Sequence, residues 1–189
     1  MSRLLVLIRG FSGHPLHPPL TDVVIGAYTV GVAMLVAGAL GFQEEQMAHG
    51  ALLAVAGGLI VTVPTAVSGL VDWLEIPKGI PARTMATIHL VVMLLATAAF
   101  ALTFVLHLDG YRQDQVMTEA WIAGVAAFAV LVAGGYGGGA LAFVYGVRVI
   151  GRRDVPLADA VIPGRAEATG DGAAAGSEEA GEMARGRGA

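Results

Sequence analysis

Four long stretches of the sequence contain no Asp, Glu, Lys or Arg. They are Val23–Phe42, Gly50–Val71, Met85–Leu106 and Ala120–Val147. A helix needs about 20 mostly apolar residues to cross a hydrocarbon layer roughly 30 Å thick, and each stretch reaches that length. We therefore predict an all-α fold, an integral membrane bundle of four transmembrane helices in a lipid bilayer. This fold excludes a soluble enzyme, a nucleic-acid-binding protein and a secreted disulfide scaffold.

The composition agrees with a membrane protein. Hydrophobic residues make up 56% of the chain and charged residues 14%, against about 45–50% and about 25% in soluble domains. Cysteine is absent, which excludes disulfides, thiolate metal sites, iron–sulfur clusters ligated by this chain and c-type haem attachment.

The chain divides into three parts, and no internal repeat is evident. Residues 1–21 form an N-terminal cytoplasmic or interfacial segment with a His-Pro-Leu-His-Pro-Pro motif, and residues 22–151 form the four-span domain. Residues 152–189 form a cytoplasmic tail. From about Gly164 the tail is rich in Gly, Ala, Glu and Arg and has no aromatic residue. Such a segment buries too little apolar surface to offset its ordering entropy, so we predict disorder there.

Lys and Arg are concentrated in the segments that flank alternate helix ends. The first loop has none and the third has only Arg112, while the other flanks carry Arg3, Arg9, Lys78, Arg83, Arg148, Arg152 and Arg153. Because short loops rich in Lys and Arg stay in the cytoplasm, we predict cytoplasmic N- and C-termini. The bias towards Ala, Gly and Arg is typical of GC-rich bacterial genomes, which suggests the inner membrane of a bacterial cell.

Three histidines are the candidate cofactor ligands. His14 and His17 lie just before the first span, and His89 lies inside the third span, roughly 7 Å deep at 1.5 Å per residue. An ionisable residue within a span is a functional candidate. One hypothesis is a b-type haem whose iron is ligated by His89 and by His17 or His14. The alternatives are a structural hydrogen bond from His89 to Ser68 or Asp72, and a proton or ion path.

Two other patterns lie within the spans. Polar residues recur every three to four positions in the second helix, so we expect one polar stripe through Thr62, Thr65, Ser68 or Gly69, and Asp72. Asp72 would neutralise Arg83 or orient His89. In the fourth helix small residues share a predicted face that would admit a helix or a flat ligand: Gly135, Gly139, Ala142 and Gly146.

The remaining histidines, His49 and His107, fall at the outer ends of the second and third spans. We expect both to be solvated at the membrane interface. The sequence lacks a Walker loop, a nucleophile elbow, a His-Glu-x-x-His motif and paired carboxylates within a span. No catalytic residue is therefore predicted.

Four segments resemble an uncharacterised bacterial family of predicted four-span membrane proteins, domain of unknown function 2231 (DUF2231). They are Gly13-His-Pro-Leu-His-Pro-Pro-Leu20, Ser68-Gly-Leu-Val-Asp-Trp-Leu-Glu-Ile-Pro77, Arg83…His89 and the glycine-rich run from Gly135 to Val149. Members of the family occur fused to, or encoded near, Rieske iron–sulfur domains and cytochromes. The resemblance therefore implies membrane electron transfer and a Rieske or cytochrome partner.

The match to the family's polar positions is incomplete. His14, His17, His89 and Asp72 agree with the family pattern. Typical members have histidines where this chain has Tyr136 and Tyr145, and often an asparagine where it has Met93. If the family histidines bind haem, this chain has lost some of them.

Three functional hypotheses follow. The first is an accessory subunit of membrane electron transfer that binds haem b. The second is a cofactor-free anchoring module that binds a partner protein through the glycine face of the fourth helix. The third is a small proton-coupled transporter that uses His89 and Asp72.

Overall fold

The computed structural model describes residues 6, 8–11, 13–151 and 155–165. Within them four helices are long and apolar enough to span a membrane: α1 (His17–Ala39), α2 (Glu44–Glu75), α3 (Pro81–Gln113) and α4 (Thr118–Phe143). The predicted all-α, four-span fold is confirmed. The short strands β1 (Gly10–Phe11) and β2 (His14–Pro15) come before α1, and a one-turn helix α5 (Leu157–Ala160) follows α4.

The helix ends differ from the uncharged stretches of the sequence. Pro residues occupy the first turn of α1, where proline has no amide hydrogen bond to lose, so α1 begins at His17. The predicted boundary at residue 21 therefore lies inside a helix. At the other end of the chain, α4 stops at Phe143 and Gly146 adopts a φ of +64° beyond it. Gly146 is thus not on the helix face that we predicted.

The bundle consists of two helical hairpins. In the first hairpin α1 packs mainly against α2, and in the second hairpin α3 packs mainly against α4. Short connections, residues 40–43 and 114–117, join the helices of each hairpin at the loop end of the bundle. The terminal end is the opposite one, where α1 begins and α4 ends. Many large apolar side chains on the outer surface are exposed, including Ile60, Leu95 and Val132, as expected of helices that contact lipid.

The two hairpins are repeats of each other. Adding 72 to a residue number in α1 gives its counterpart in α3, and adding 69 to a number in α2 gives its counterpart in α4. Five of the six buried positions of α1 then fall on buried positions of α3. The pairs are Val24 and Ala96, Tyr28 and Phe100, Gly31 and Thr103, Leu35 and His107, and Gly38 and Gly110.

The second helices of the hairpins match in the same way. Their paired buried positions are Ala51 and Ala120, Val55 and Gly124, Gly58 and Ala127, Thr65 and Gly134, and Ser68 and Gly137. Both hairpins run in the same direction from the terminal end, which corresponds to a parallel repeat about an axis along the membrane normal. The repeat is not evident in the sequence because few paired residues are identical and the offset changes by three between the two helices.

The terminal end is closed by segments from both ends of the chain. Strands β1 and β2 form a small antiparallel hairpin with Phe11 opposite His14. The backbone after α4 returns to this hairpin, where Arg148 donates a hydrogen bond to the Arg9 carbonyl at 3.0 Å. Gly13 packs closely against Ile150. The predicted disorder from about Gly164 concerns mainly residues 166–189, which lie outside the described residues.

Candidate functional site

A cavity of about 180 Å³ lies in the bundle interior towards the terminal end and is lined by all four helices. More than half of its lining residues fall in counterpart pairs of the repeat. Six of these pairs are His17 and His89, Thr21 and Met93, Val24 and Ala96, Gly69 and Gly138, Asp72 and Leu141, and Trp73 and Ala142. The cavity therefore lies across the boundary between the two hairpins.

His17 enters the cavity from the first residue of α1 and is held by α2. Its Nδ1 lies 3.0 Å from the Thr65 carbonyl oxygen and 3.3 Å from Ser68 Oγ. Because a carbonyl only accepts, Nδ1 carries the proton. The ring also packs over Gly69, where a Cβ would lie 2.6 Å from His17 Cε1. Glycine at this position is what gives the imidazole room against α2.

His89 has the same environment in the second hairpin. Its Nδ1 lies 2.9 Å from the carbonyl oxygen of Gly134 in α4. Its ring packs over Gly138, where a Cβ would lie 3.0 Å from His89 Cε1. The predicted hydrogen bond from His89 to Ser68 or Asp72 is therefore wrong, since α4 rather than α2 supplies the acceptor.

The two imidazoles thus have one geometry repeated in both hairpins. Each donates from Nδ1 to a backbone carbonyl of the neighbouring helix. Each ring also lies over the glycine four residues after that carbonyl, on the helix that supplies it. Neither Nε2 atom has a hydrogen-bond partner among the described residues. A histidine held in this way presents an Nε2 lone pair, the arrangement found in metal-ligating histidines whose other nitrogen is anchored.

His14 is placed differently from the other two candidates. It belongs to β2, outside the cavity lining. Its Nδ1 is buried without a hydrogen-bond partner in the described part of the chain. Of the three predicted cofactor ligands, the structure brings together His17 and His89.

An ion-pair cluster closes the terminal end beside the cavity. Asp72 Oδ1 lies 3.5 Å from Arg9 Nε and 3.4 Å from Arg148 Nε, and Arg9 also pairs with Glu75. Arg9, Asp72 and Arg148 are largely buried, whereas Glu75 is half exposed. The expected neutralisation of Arg83 by Asp72 is therefore wrong, because arginines from the two chain ends take its place.

Arg83 caps α2 instead. It donates hydrogen bonds to the carbonyls of Trp73 and Ile76, the latter at 3.0 Å. Its guanidinium also lies 3.6 Å from the centroid of a Trp73 ring. These contacts satisfy carbonyls that the end of a helix leaves without intrahelical partners.

The polar stripe of α2 faces α1 and the N-terminal segment. Thr62 Oγ1 lies 2.9 Å from the Tyr28 hydroxyl, Thr65 and Ser68 contact His17, and Asp72 contacts Arg9. The hydroxyls of Thr62 and Thr65 also donate to carbonyls one turn earlier in α2. The stripe therefore positions the first hairpin and one of the two imidazoles.

The predicted glycine face of α4 is open within the described bundle. A Cβ at Gly135 would have no neighbour within 4 Å, and one at Gly139 would reach only Phe143. The helix instead packs through Gly134, Gly137 and Gly138, which lie on the face next to the predicted one. Ala142 lines the cavity.

The two histidines at the loop end differ in exposure, since the His49 side chain is 37% exposed and His107 is buried. His49 Nε2 lies 2.9 Å from Asp114 Oδ1 and 3.0 Å from the Tyr111 carbonyl. His107 is 1% exposed, its Nε2 lies 3.0 Å from the Ala48 carbonyl, and its Nδ1 has no partner among the described residues. The expectation that His107 is solvated is wrong, because the loop end packs more tightly than its distance from the membrane centre suggested.

The roles of several residues at the site were not predicted from the sequence. Gly69 and Gly138 admit the imidazoles, while Arg9 and Arg148 flank Asp72. The sequence separation between His17 and Gly69 is similar to that between His89 and Gly138. An alignment of the first half of the chain with the second half would detect this similarity. No group of three or more His, Cys, Asp or Glu side chains in the described ranges is placed to hold a metal ion.

Comparison with curated proteins and with solved structures gives no match. The profile of one family, described as "Predicted membrane protein (DUF2231)", matches residues 13–151. These residues contain all four helices, both imidazoles of the cavity and Arg148. The chain is therefore a membrane protein of the DUF2231 family.

Proposed function

We propose that this membrane protein binds a b-type haem between His17 and His89 and acts as an accessory subunit of membrane electron transfer. The observation that carries the proposal is the pair of imidazoles that line one cavity, each anchored through Nδ1 and without a hydrogen-bond partner at Nε2 among the described residues. Two histidine ligands are the donor set of a low-spin haem b, with one imidazole from each hairpin.

The chemistry of the donors fits the group. A carbonyl partner on Nδ1 fixes the tautomer, orients the ring and raises the basicity of Nε2. A neutral imidazole also tolerates the bundle interior better than a charged ligand does. Gly69 and Gly138 allow each ring to pack closely against α2 or α4, which helps to fix the orientation of the ring.

The size of the cavity sets a condition on this proposal. Its volume of about 180 Å³ is below the roughly 300–1,000 Å³ of pockets for drug-sized ligands. A macrocycle therefore requires the two hairpins to move apart. The boundary between them is the more loosely packed one in the bundle, since the close helix pairs are those within each hairpin.

A haem supplies reversible one-electron chemistry, and the chain supplies the ligands and the surroundings. His17 and His89 hold the iron, and their carbonyl partners keep both rings oriented. The apolar lining, which includes Val24, Ala96 and Leu131, excludes water from the centre. Tyr28 also lines the cavity and stacks on Phe100.

The location and the partner belong to the same proposal. Lys and Arg flank the terminal end, which favours cytoplasmic termini in a bacterial inner membrane. A Rieske or cytochrome protein is the partner that the proposed electron transfer requires. The open face at Gly135 and Gly139 supports a second candidate function, that of an anchoring module, because a partner helix would approach the backbone closely there.

The test is an absorption spectrum of the detergent-purified protein from haem-replete cells, before and after reduction with dithionite. We expect a Soret band that sharpens on reduction with resolved α and β bands, and its loss in His17→Ala and His89→Ala. His49→Ala, at the loop end, is the matched control and should keep the spectrum. A featureless spectrum of folded protein at stoichiometric sensitivity would overturn the haem proposal and favour the anchoring module.

A further inference from the structure

The cavity has two similar imidazoles but only one charged side. Asp72 and Leu141 are counterparts in the repeat and both line the cavity, so the first hairpin contributes a carboxylate where the second contributes an isobutyl group. Arg148 lines the same side and lies 3.4 Å from Asp72. A ligand in this cavity would therefore contact one imidazole from each hairpin at its centre. One of its edges would face charged side chains and the other an apolar side chain.

Arg148 has unused capacity to bind an anion. Its Nε shares Asp72 Oδ1 with Arg9 Nε, and both distances, 3.4 and 3.5 Å, exceed the roughly 2.7–2.9 Å of a strong charge-assisted hydrogen bond. The Nε atom is buried without a hydrogen bond in the described part of the chain. Arg9 is better satisfied, since it also pairs with Glu75.

The backbone at Arg148 is consistent with a binding role. Its φ is +63°, a left-handed conformation that is uncommon for a residue with a side chain. Strained residues of this kind are concentrated at active sites and ligand clamps. Here the conformation follows the end of α4 and brings the guanidinium to the cavity beside Asp72, while its NH2 group holds the Arg9 carbonyl at 3.0 Å.

We propose that Arg148 binds a carboxylate at the edge of the ligand whose centre lies between His17 and His89. This inference rests on the proposed function and specifies the class of ligand: a metal-centred macrocycle with an anionic edge, bound with that edge towards the terminal end. A guanidinium matches a carboxylate with two parallel N–H···O bonds. Asp72 remains neutralised by Arg9 when Arg148 turns to the ligand.

The experiment compares haemin with haemin dimethyl ester, in which both carboxylates are blocked. Each is titrated into the full-length protein in a neutral detergent, and binding is followed by the Soret band. We expect the wild type to bind the free acid at least tenfold more tightly than the diester. In Arg148→Gln that preference disappears while the affinity for the diester stays within about twofold. In Arg148→Lys the preference is reduced but present, because lysine binds carboxylates as a point charge.

Arg112→Gln is the matched control, since Arg112 is exposed at the loop end and pairs with Asp109; it should bind both forms as the wild type does. Equal wild-type affinities for the two forms, or a preference that survives in Arg148→Gln, would overturn the assignment of Arg148 and leave the haem site intact. The wild-type comparison stands even if Arg148→Gln fails to fold. If neither form gives a band that depends on His89, the haem site and the inference both fail.

A lipid headgroup could offer the same anionic chemistry, and it is distinguished by measuring its binding. If the wild type binds phosphatidylglycerol in a manner that depends on Arg148 and shows no preference for the free acid over the diester, the anion at Arg148 is a lipid phosphate and the proposal is overturned. Phosphatidylcholine is the matched lipid in this arm, because it has the same phosphate without net charge.

Discussion

Tyr28 of α1 and Phe100 of α3 stack face to face, with ring centroids 3.8 Å apart and planes 3° from parallel. The two residues are counterparts in the repeat, so the stack lies where the two hairpins face each other. Both side chains are fully buried, and the Tyr28 hydroxyl is tied to Thr62 at 2.9 Å. The pair joins α1 to α3 at the cavity, which Tyr28 also lines.

The stack makes a measurable contribution to the stability of the bundle. We expect Tyr28→Ala and Phe100→Ala each to lower the free energy of unfolding by about 3–5 kcal/mol, as loss of a buried aromatic side chain does. In the double mutant we expect a coupling energy of about 0.5–1.5 kcal/mol. The measurement is reversible unfolding in mixed detergent micelles. Tyr136→Ala, at an exposed site, should change the stability by less than about 0.5 kcal/mol. Strictly additive effects would show that the rings do not interact.

The glycine beneath His17 is predicted to be essential for the position of that ring. In Gly69→Ala the new Cβ would lie 2.6 Å from His17 Cε1, so the ring must move and the hydrogen bond to Thr65 is weakened. We expect a changed chemical shift of the His17 ring by NMR and, in the haem-loaded protein, a changed Soret band. Gly57→Ala in the same helix is the control, because a Cβ there meets nothing within 4 Å. Unchanged His17 signals in Gly69→Ala would refute the close packing.

His107 is predicted to be a packing residue. Its counterpart in the repeat is Leu35, and it has one unsatisfied buried nitrogen. His107→Leu loses one hydrogen bond to the Ala48 carbonyl, of a kind worth about 0.6 kcal/mol in membranes. It also removes the buried nitrogen that has no hydrogen-bond partner. We therefore expect a stability within about 1 kcal/mol of the wild type. His107→Ala leaves a cavity and should be roughly 2–5 kcal/mol less stable than His107→Leu. A large loss in His107→Leu would indicate that the imidazole itself is needed.

The orientation of the bundle can be tested directly, because the natural chain contains no cysteine. We expect Gln43→Cys, in the first connection at the loop end, to react with a membrane-impermeant maleimide in cells with a permeable outer membrane. Lys78→Cys, between α2 and α3 at the terminal end, should react only after the inner membrane is disrupted. This follows from the positive charges that flank the terminal end. The reverse pattern of labelling would place the termini outside.

The sequence alone determines that this chain is a four-span membrane protein. Uninterrupted apolar stretches have few alternatives, since in lipid every backbone polar group must be paired and a helix pairs its own. The same reasoning identifies His17 and His89 as unusual, because an ionisable group near or within a span must have a partner. These conclusions depend only on composition and length, which are local properties of the chain.

The tertiary structure decides what these residues contact. The partner of His89 is a backbone carbonyl at Gly134, and any residue type can offer a carbonyl, so no pattern of side chains predicts it. The ion pairs of Asp72 come from Arg9, which precedes α1, and Arg148, which follows α4. The repeat likewise becomes visible through matching buried positions, because packing conserves the space available at a position more strictly than the identity of its side chain. Which histidines share a cavity, and which side of it is charged, therefore follow from how the two hairpins pack together.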